Sequence, residues 1–159
     1  GYDARPDQLN ERITFISAGL NKRLNYKNIY IDNRLLYQSS AKQELPVPTF
    51  TINESVYYQN HIFKKEILYR VCLVVYYFSG LNVLAYMVPL GEFHLQNEQT
   101  IGNYPYIDLY FTFKLKQAFF FLKFEHVNKG MAGSNFYNIP DYPVPPRSFK
   151  WGLKWTLFD

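Results

Sequence analysis

Apolar and polar side chains alternate, residue by residue, through the last segment of the chain. Every second position is apolar, and two lysines, a glycine and a threonine lie between: Phe149, Trp151, Leu153, Trp155 and Leu157 against Lys150, Gly152, Lys154 and Thr156. Successive side chains of a β-strand point to opposite faces, so this strand has one apolar face and one polar face. The run is about nine residues long, which is the length that a tilted strand needs to cross a bilayer.

The same alternation recurs upstream and predicts seven strands and no helix. The other six segments are Arg12–Leu24, Ile29–Gln38, a strand from near Thr49 through Tyr58, Ile67–Tyr77, Ile107–Lys116 and Phe120–Glu125. In five of these six the apolar residues fall on one face. For Arg12–Leu24 the alternation does not decide which residues face which side.

The aromatic content separates this chain from an ordinary helical protein. Aromatic residues make up 19% of the sequence, yet the longest apolar stretch, Ile67–Phe78, is interrupted by Arg70. A membrane helix needs about 18 consecutive apolar residues. Many aromatic residues without such a run favour β-structure whose two faces differ. A transmembrane barrel has this property, and so does a soluble sandwich or a lipocalin-like barrel.

The lengths of the connections favour the transmembrane barrel. Short links at 24–27, 60–65 and 116–118 alternate strictly with long, proline-rich links at 39–48, 80–103 and 129–147. Membrane barrels have short periplasmic turns and long extracellular loops. A soluble sandwich has no physical reason to sort its loops by side.

Seven strands do not make the even-numbered barrel that bacteria usually build. An open sheet would leave unpaired backbone groups in lipid, at a cost of several kcal/mol each. We therefore expect residues 1–159 to be a single segment, the C-terminal portion of a larger outer-membrane barrel. The alternative is an eighth strand near Tyr86–Gln96 that closes a small barrel.

Five segments have distinctive sequences beyond the alternation: Tyr57–Lys65 at a short turn, Leu90–Glu98 and Ile101–Pro105 in a long loop, Leu122–Asn128, and Phe149–Asp159. Together they resemble the C-terminal region of the "putative porin" family of outer-membrane proteins from Bacteroidetes. The segment with Gln96, Asn97 and Glu98 is the most specific, because alternation alone would not produce it. The resemblance covers roughly Leu45 to the end, and 1–43 matches only in general character.

This resemblance implies a large β-barrel in the cell outer membrane, and it carries over no catalytic residue. Barrel proteins of this kind often end on an aromatic residue that the insertion machinery reads. Here Phe158 is followed by Asp159, which departs from that ending unless Phe158 takes the role.

Strand alternation also predicts which side chains face a watery lumen and which face lipid. The lumen-facing candidates are Asp32, Arg34, Arg70, Asp108, Lys114, Lys123, Glu125, Lys150 and Lys154. The lipid-facing candidates are Phe111, Phe113, Leu122, Phe124, Phe149, Trp151, Leu153, Trp155 and Leu157. Cations outnumber carboxylates among the first set, so an open pore would mildly favour anions. Salt bridges in a plugged or narrow barrel explain the same charges equally well.

Rings that prefer the membrane interface form a second predicted set. It comprises Tyr104, Tyr106, Tyr110, Tyr142, Trp151 and Trp155, with Trp155 on the periplasmic side. Amphipathic rings of this kind form belts at both interfaces of membrane barrels.

Catalysis and cofactor binding find little support in the sequence. His61, His94 and His126 occur singly, without metal-ligand spacing, and Cys72 is the only cysteine. The net charge of +4 comes without a nucleic-acid recognition motif. We therefore expect no enzyme, no metal, no cofactor and no nucleic-acid partner.

Three functions remain open on the sequence. The first is a porin-like channel for passive diffusion of small solutes or ions. The second is a non-conducting barrel that serves as a structural or accessory subunit of a secretion or uptake complex, with other outer-membrane proteins as partners. The third is a soluble β-protein that binds an apolar ligand. In the first two the chain is in contact with membrane lipid.

Overall fold

A computed structural model describes residues 12–41, 46–89, 91–94, 96, 98–131, 137–140 and 142–157. Across these residues the chain forms strands and connections, without a helix. The strands are β1 (Phe15–Tyr26), β2 (Ile29–Ser40), β3 (Phe50–Ile62), β4 (Ile67–Phe78), β5 (Leu81–Asn82), β6 (Ala85–Met87), β7 (Glu92–His94), β8 (Thr100–Ile101), β9 (Tyr106–Leu115), β10 (Ala118–Glu125), β11 (Tyr137–Ile139), β12 (Tyr142–Pro143) and β13 (Ser148–Trp155).

Seven of these strands form one antiparallel sheet in the order β1-β2-β3-β4-β9-β10-β13. Each long strand pairs with the next long strand along the chain, so the sheet is an up-and-down meander. The predicted all-β class and the seven predicted strands are confirmed. The sheet is open: among the described strands, nothing pairs with the outer edge of β1 or of β13.

The alternation in the sequence becomes two distinct faces because neighbouring strands pair without a register shift. Phe120 lies opposite Phe113 and Leu153, and Leu122 lies opposite Phe111 and Trp151. The face that carries these side chains is called the apolar face, and the opposite one the polar face. In strands β4, β9, β10 and β13 the apolar face holds Ile67, Tyr69, Val71, Leu73, Val75, Tyr77, Ile107, Leu109, Phe111, Phe113, Leu115, Ala118, Phe120, Leu122, Phe124, Phe149, Trp151, Leu153 and Trp155.

Short and long connections leave the sheet at opposite ends, as predicted. The turns after β1, β3 and β9 are tight and use left-handed backbone at Lys27, at 63–65 and at Lys116. Such turns suit the right-handed twist of a hairpin, although a lysine pays a small steric cost there that glycine would not. The three long connections leave from the other end, which we call the loop end.

The long connection between β4 and β9 does not add a strand to the sheet. Within it β5 pairs with β8, and β6 pairs with β7, as two small ribbons. The alternative of an eighth strand at Tyr86–Gln96 is therefore wrong, because this segment folds back on itself as the β6–β7 hairpin. Leu90, Leu95 and Asn97 lie outside the described residues, as do Phe158 and Asp159 at the end of the chain.

The side chain of Gln96, in the Gln96-Asn97-Glu98 segment, forms hydrogen bonds within the long loop between β4 and β9. Its side-chain nitrogen donates to the carbonyl oxygens of Val83 and Gln99, at 2.8 and 2.9 Å. Its side-chain oxygen accepts from the backbone N–H groups of Glu98 and Gln99, each at 2.8 Å. One amide thereby satisfies four backbone groups, which holds the two sides of the loop together.

The apolar face has no second layer of described protein upon it. Trp151 is 72% exposed, Trp155 60% and Phe149 54%. The hydrophobic side chains that are buried lie mostly at the loop end: Val74, Ile101, Tyr104, Ala118 and Val144. A soluble domain of this size would cover such an apolar surface. Among the described residues no helix is long and apolar enough to cross a membrane.

Candidate functional site: the polar face of the sheet

All nine predicted lumen-facing residues project from the polar face. The strand registers place Asp32 and Arg34 of β2, Arg70 of β4, Asp108 and Lys114 of β9, Lys123 and Glu125 of β10, and Lys150 and Lys154 of β13 on this side. Eight of the nine predicted lipid-facing residues lie on the apolar face, and Leu157 follows the end of β13. The sheet therefore separates the two sets cleanly.

Three neighbouring strands bring four charged residues into one network on this face. The Lys123 ammonium lies 3.1 Å from Oδ2 of Asp108 and 2.7 Å from Oε1 of Glu125. Lys150 Nζ lies 2.7 Å from Oε2 of Glu125, and the Ser148 hydroxyl donates to the same oxygen at 2.6 Å. The side chains of Asp108 and Glu125 are only 4% and 14% exposed. Removing one partner from ion pairs that are this well buried destabilises the fold, because it leaves an unpaired buried charge.

Tyr110 completes the surroundings of Lys123. The ammonium lies 4.8 Å from the centre of the Tyr110 ring, on the neighbouring strand. A cation over an aromatic ring is attracted by the partial negative charge on the face of that ring. The lysine is thus held between two carboxylates and a ring, which fixes its position on the polar face.

At the loop end of this face His126 joins three chain segments. Its Nδ1 lies 2.8 Å from the carbonyl oxygen of Pro145, and its Nε2 lies 2.6 Å from the Tyr104 hydroxyl. Because a carbonyl only accepts, Nδ1 carries the proton, and in the neutral ring Nε2 accepts from Tyr104. The backbone N–H of His126 donates to Oδ1 of Asp108 at 2.9 Å. Histidine and aspartate are both 2% exposed.

Asn128 ties the same region together from the other side. Its side-chain nitrogen donates to the Pro105 carbonyl at 2.6 Å, and its side-chain oxygen accepts from the Ile107 N–H at 3.2 Å. The Tyr106 ring stacks on the His126 ring at 4.7 Å. Burial raises the pKa of the Tyr104 phenol, and the nearby Arg147 opposes that shift. The arrangement anchors the loops at the loop end of the polar face.

Sequence reasoning missed this loop-end network. His126 and Asn128 belong to the segment Leu122–Asn128 that carries the family resemblance, which is the one signal that marked them. Their partners Tyr104, Pro105 and Pro145 come from segments about twenty residues away. No local spacing rule connects such positions.

A second group covers the polar face of β2, β3 and β4. The rings of Tyr30 and Tyr57 stack at 4.8 Å, and the Arg70 guanidinium lies 4.6 Å from the Tyr57 ring centre. Arg70 also donates to the Gln59 side-chain oxygen at 2.6 and 3.0 Å. Rings and guanidinium together form a flat, partly exposed polar surface.

Arg23 is a polar-face residue that the alternation did not assign. It pairs with Asp32 across β1 and β2, with Nη2 3.2 Å from Oδ2. This pairing settles the faces of the first strand. Four other cations of the polar face have no carboxylate partner among the described residues: Arg34, Arg70, Lys114 and Lys154.

The predicted interface rings divide between several environments. Trp151 and Trp155 lie on the apolar face, and Trp155 stands beside the turn after β9, at the end opposite the loops. Tyr142 is exposed in β12. The expectation is wrong for Tyr106 and Tyr110, which project from the polar face, and for Tyr104, which is buried against His126. A tyrosine whose hydroxyl has a hydrogen-bond partner, or whose ring stacks on a neighbouring ring, is accommodated there as well as at a membrane interface.

Aromatic side chains also line a cavity of about 300 Å³ at the loop end. Tyr76 of β4, Tyr106 of β9 and Tyr137 of β11 contribute rings to its wall. A cavity of this size accommodates one small molecule. Among the described residues no group of three or more histidine, cysteine or acidic side chains could hold a metal ion.

A protein-family model described as "Putative porin" matches residues 1–159. No curated protein matches the chain, and no solved structure matches it.

Proposed function

Because the chain belongs to the putative porin family, we propose that it forms part of the wall of an outer-membrane channel through which small solutes or ions diffuse passively. The apolar face contacts the hydrocarbon of the membrane, and the polar face lines the water-filled interior. The short turns lie on the periplasmic side and the long loops on the outer side.

One observation carries this proposal: a single-layered sheet that is apolar on one side and charged on the other. Trp151 is 72% exposed, whereas Asp108, on the opposite side of the same sheet, is 2% exposed and ion-paired. Lipid accepts bare aromatic and aliphatic side chains, and water in a lumen accepts lysine and arginine. A soluble fold would have to place both surfaces against water.

The open edges of β1 and β13 support a larger barrel. In lipid each unpaired backbone group costs several kcal/mol, so both edges need strand partners. We therefore propose that further strands, from elsewhere in the same polypeptide or from another chain, complete a closed barrel. Residues 1–159 would then supply seven strands of its wall.

The charge on the polar face supports a mild preference for anions. Arg34, Arg70, Lys114 and Lys154 have no carboxylate partner among the described residues, whereas Asp108 and Glu125 are both engaged by lysines. Fixed cations on the wall of a pore raise the local concentration of anions. No catalytic step is part of this proposal.

Single-channel conductance in planar bilayers tests the function. We expect the purified full-length protein to open ion-conducting channels and, under a KCl gradient, to give a reversal potential of the sign for chloride preference. Protein that inserts and folds but never conducts would favour the second candidate, a structural or accessory barrel. Equal permeability for both ions would reject the anion preference alone.

The third candidate, a soluble protein that binds an apolar ligand, is tested by extraction. A chain of that kind leaves the membrane fraction without detergent, and an outer-membrane protein does not. The Bacteroidetes origin remains a prediction from the sequence resemblance.

A further inference from the structure

Three polar side chains interrupt the apolar face in the half of the sheet formed by β1, β2 and β3. Lys22 lies opposite Asn33, and Asn33 lies opposite Glu54, so the three form one row across adjacent strands. We call them the polar row. The positions two residues before and after each of them on the same face are occupied by Leu20, Leu24, Ile31, Leu35, Ile52 and Val56.

The polar row has no partner within the described part of the chain. No hydrogen bond or ion pair there involves the side chains of Lys22, Asn33 or Glu54, in contrast to Arg23, which pairs with Asp32 on the polar face. Adjacent strands lie about 4.8 Å apart, so Lys22 and Glu54 are separated by roughly 10 Å. A lysine and a glutamate left unpaired against lipid are strongly unfavourable, and charged residues within the membrane almost always pair with one another or with other polar groups.

The order of charges makes this row complementary to itself. Consider two copies packed apolar face to apolar face, with a two-fold axis parallel to the membrane normal that passes between their Asn33 side chains. The rotation brings Lys22 of one copy to the side of Glu54 of the other, and Glu54 to the side of Lys22, while the two Asn33 amides meet at the centre. Strands of a membrane barrel tilt by about 35–45°. The Cα atoms of each Lys22–Glu54 pair are therefore offset by roughly 6 Å along the membrane normal, a distance that the long lysine and glutamate side chains span. An interface between identical subunits requires this reciprocal matching.

We propose that a second copy of this protein docks on the apolar face of β1–β3, and that two reciprocal Lys22–Glu54 pairs join the copies. This proposal rests on the proposed function, because the apolar face must lie in the membrane for the polar row to be desolvated. The leucine, isoleucine and valine side chains around the row exclude lipid and water from the ion pairs. Two charge-assisted contacts, shielded in this way, set the orientation of the pair.

Charge reversal offers a sharp test because the row can be rewritten without losing its charges. In Lys22→Glu both ends of the row are acidic, and in Glu54→Lys both are basic, so each variant repels its own copy. The double variant K22E/E54K reverses the order and remains self-complementary. A mixture of the two single variants also restores opposite charges at both contacts.

The measurement is the fraction of dimer in vesicles, counted by single-molecule photobleaching of the labelled full-length protein. We expect dimers for the native protein and for K22E/E54K, at least a tenfold loss of dimer for each single variant, and recovery on mixing the two. Lys64→Glu in the turn after β3 is the matched control, and it should leave the dimer unchanged. A monomeric native protein, or single variants that dimerise as the native protein does, would overturn the proposal.

The same vesicles separate this proposal from the function. Conductance is recorded for each variant, and tryptophan fluorescence reports whether each variant is folded. Monomeric native protein that conducts refutes the dimer and leaves the channel in place. Native dimers that never conduct refute the channel and leave the interface in place.

Discussion

The ring of Phe121 lies directly over the backbone of Gly152 on the polar face, in a cross-strand pair between β10 and β13. A Cβ atom at Gly152 would come within 2.5 Å of Cε1 and 2.6 Å of Cζ of that ring. Real Cβ atoms do not approach other atoms so closely. The Phe121 ring therefore occupies the space that a side chain at position 152 would need.

Gly152→Ala should destabilise the protein for this reason. The added methyl group forces the ring or the strand to move, and overpacking of this kind costs about 1–3 kcal/mol. The measurement is the free energy of unfolding by urea in lipid vesicles. Gly19→Ala is the matched control, since a Cβ there would meet its nearest neighbours at 3.7 and 3.9 Å. Equal losses for the two variants would contradict the assignment.

Much of the fold follows from the alternation in the sequence, and the reason is geometric. A strand has a side-chain period of two, so the positions of Phe111, Leu122 and Trp151 already place them on one side of their strands. The lengths of the connections then indicate which strand ends share a side. These two signals predict the seven strands and the separation of charged from apolar candidates.

Other features depend on contacts between distant segments and were not predictable. The strand with Lys22 and Arg23 alternates poorly, and only the pairing of Arg23 with Asp32 shows that Lys22 lies on the apolar face. The partners of His126 come from two separate loops. The segment Tyr86–Gln96 has enough apolar residues for a strand, but its local turn at Gly91 folds it into a hairpin.

Lys123→Met should be more damaging than the loss of a lysine elsewhere on the same face. Without the ammonium, Asp108 loses its cation, and Glu125 keeps only Lys150. Removing one partner of a buried ion pair costs about 3–5 kcal/mol, and we expect the lower end because Lys123 is 21% exposed. Urea unfolding of the variant measures this loss.

Lys114→Met provides the comparison for that experiment. Lys114 is exposed and has no carboxylate partner among the described residues, so its loss should change the free energy of unfolding by less than about 1 kcal/mol. If the two substitutions cost the same, the Lys123 network does not stabilise the sheet.

Tyr104 should make the stability of the loop end depend on pH in the alkaline range. Burial raises the pKa of its phenol above the ordinary value of 10.0. The unfolded chain therefore releases this proton first as the pH rises, so the contribution is complete below about pH 10 and is lost above it. Tyr104→Phe should show a shallower fall in unfolding free energy above pH 10.

The same variant reports on the hydrogen bond to His126. At pH 8, where the phenol is neutral, Tyr104→Phe removes the donor that faces Nε2 at 2.6 Å and should cost about 1 kcal/mol. Tyr142→Phe, at an exposed tyrosine, is the control, and it should leave both the stability and its pH dependence unchanged. A native pH profile in Tyr104→Phe would refute the role of this phenol.

The two tryptophans should report the depth of β13 in the membrane. Trp151 and Trp155 are the two tryptophans of residues 1–159, so Trp155→Phe and Trp151→Phe each leave one tryptophan in this segment. Four residues of strand separate them by about 13 Å along β13. Lipids brominated deep in the acyl chain should quench Trp151 more strongly, and lipids brominated near the headgroup should quench Trp155 more strongly. If neither ring is quenched, the apolar face does not contact lipid.

Ion selectivity should respond most to Lys114 and Lys154. They lie in one row of the polar face, on either side of Phe119, and neither has a carboxylate partner among the described residues. Lys123, by contrast, is neutralised by Asp108 and Glu125. Free charges on a pore wall set the local ion concentration, whereas paired charges largely cancel.

Lys114→Glu with Lys154→Glu should therefore move the reversal potential under a KCl gradient from chloride preference towards potassium preference. Lys64→Glu with Lys65→Glu, in the turn outside the sheet, carries the same change in net charge and should leave the reversal potential unshifted. If both double variants shift it equally, net charge and not the wall of the lumen determines which ion passes.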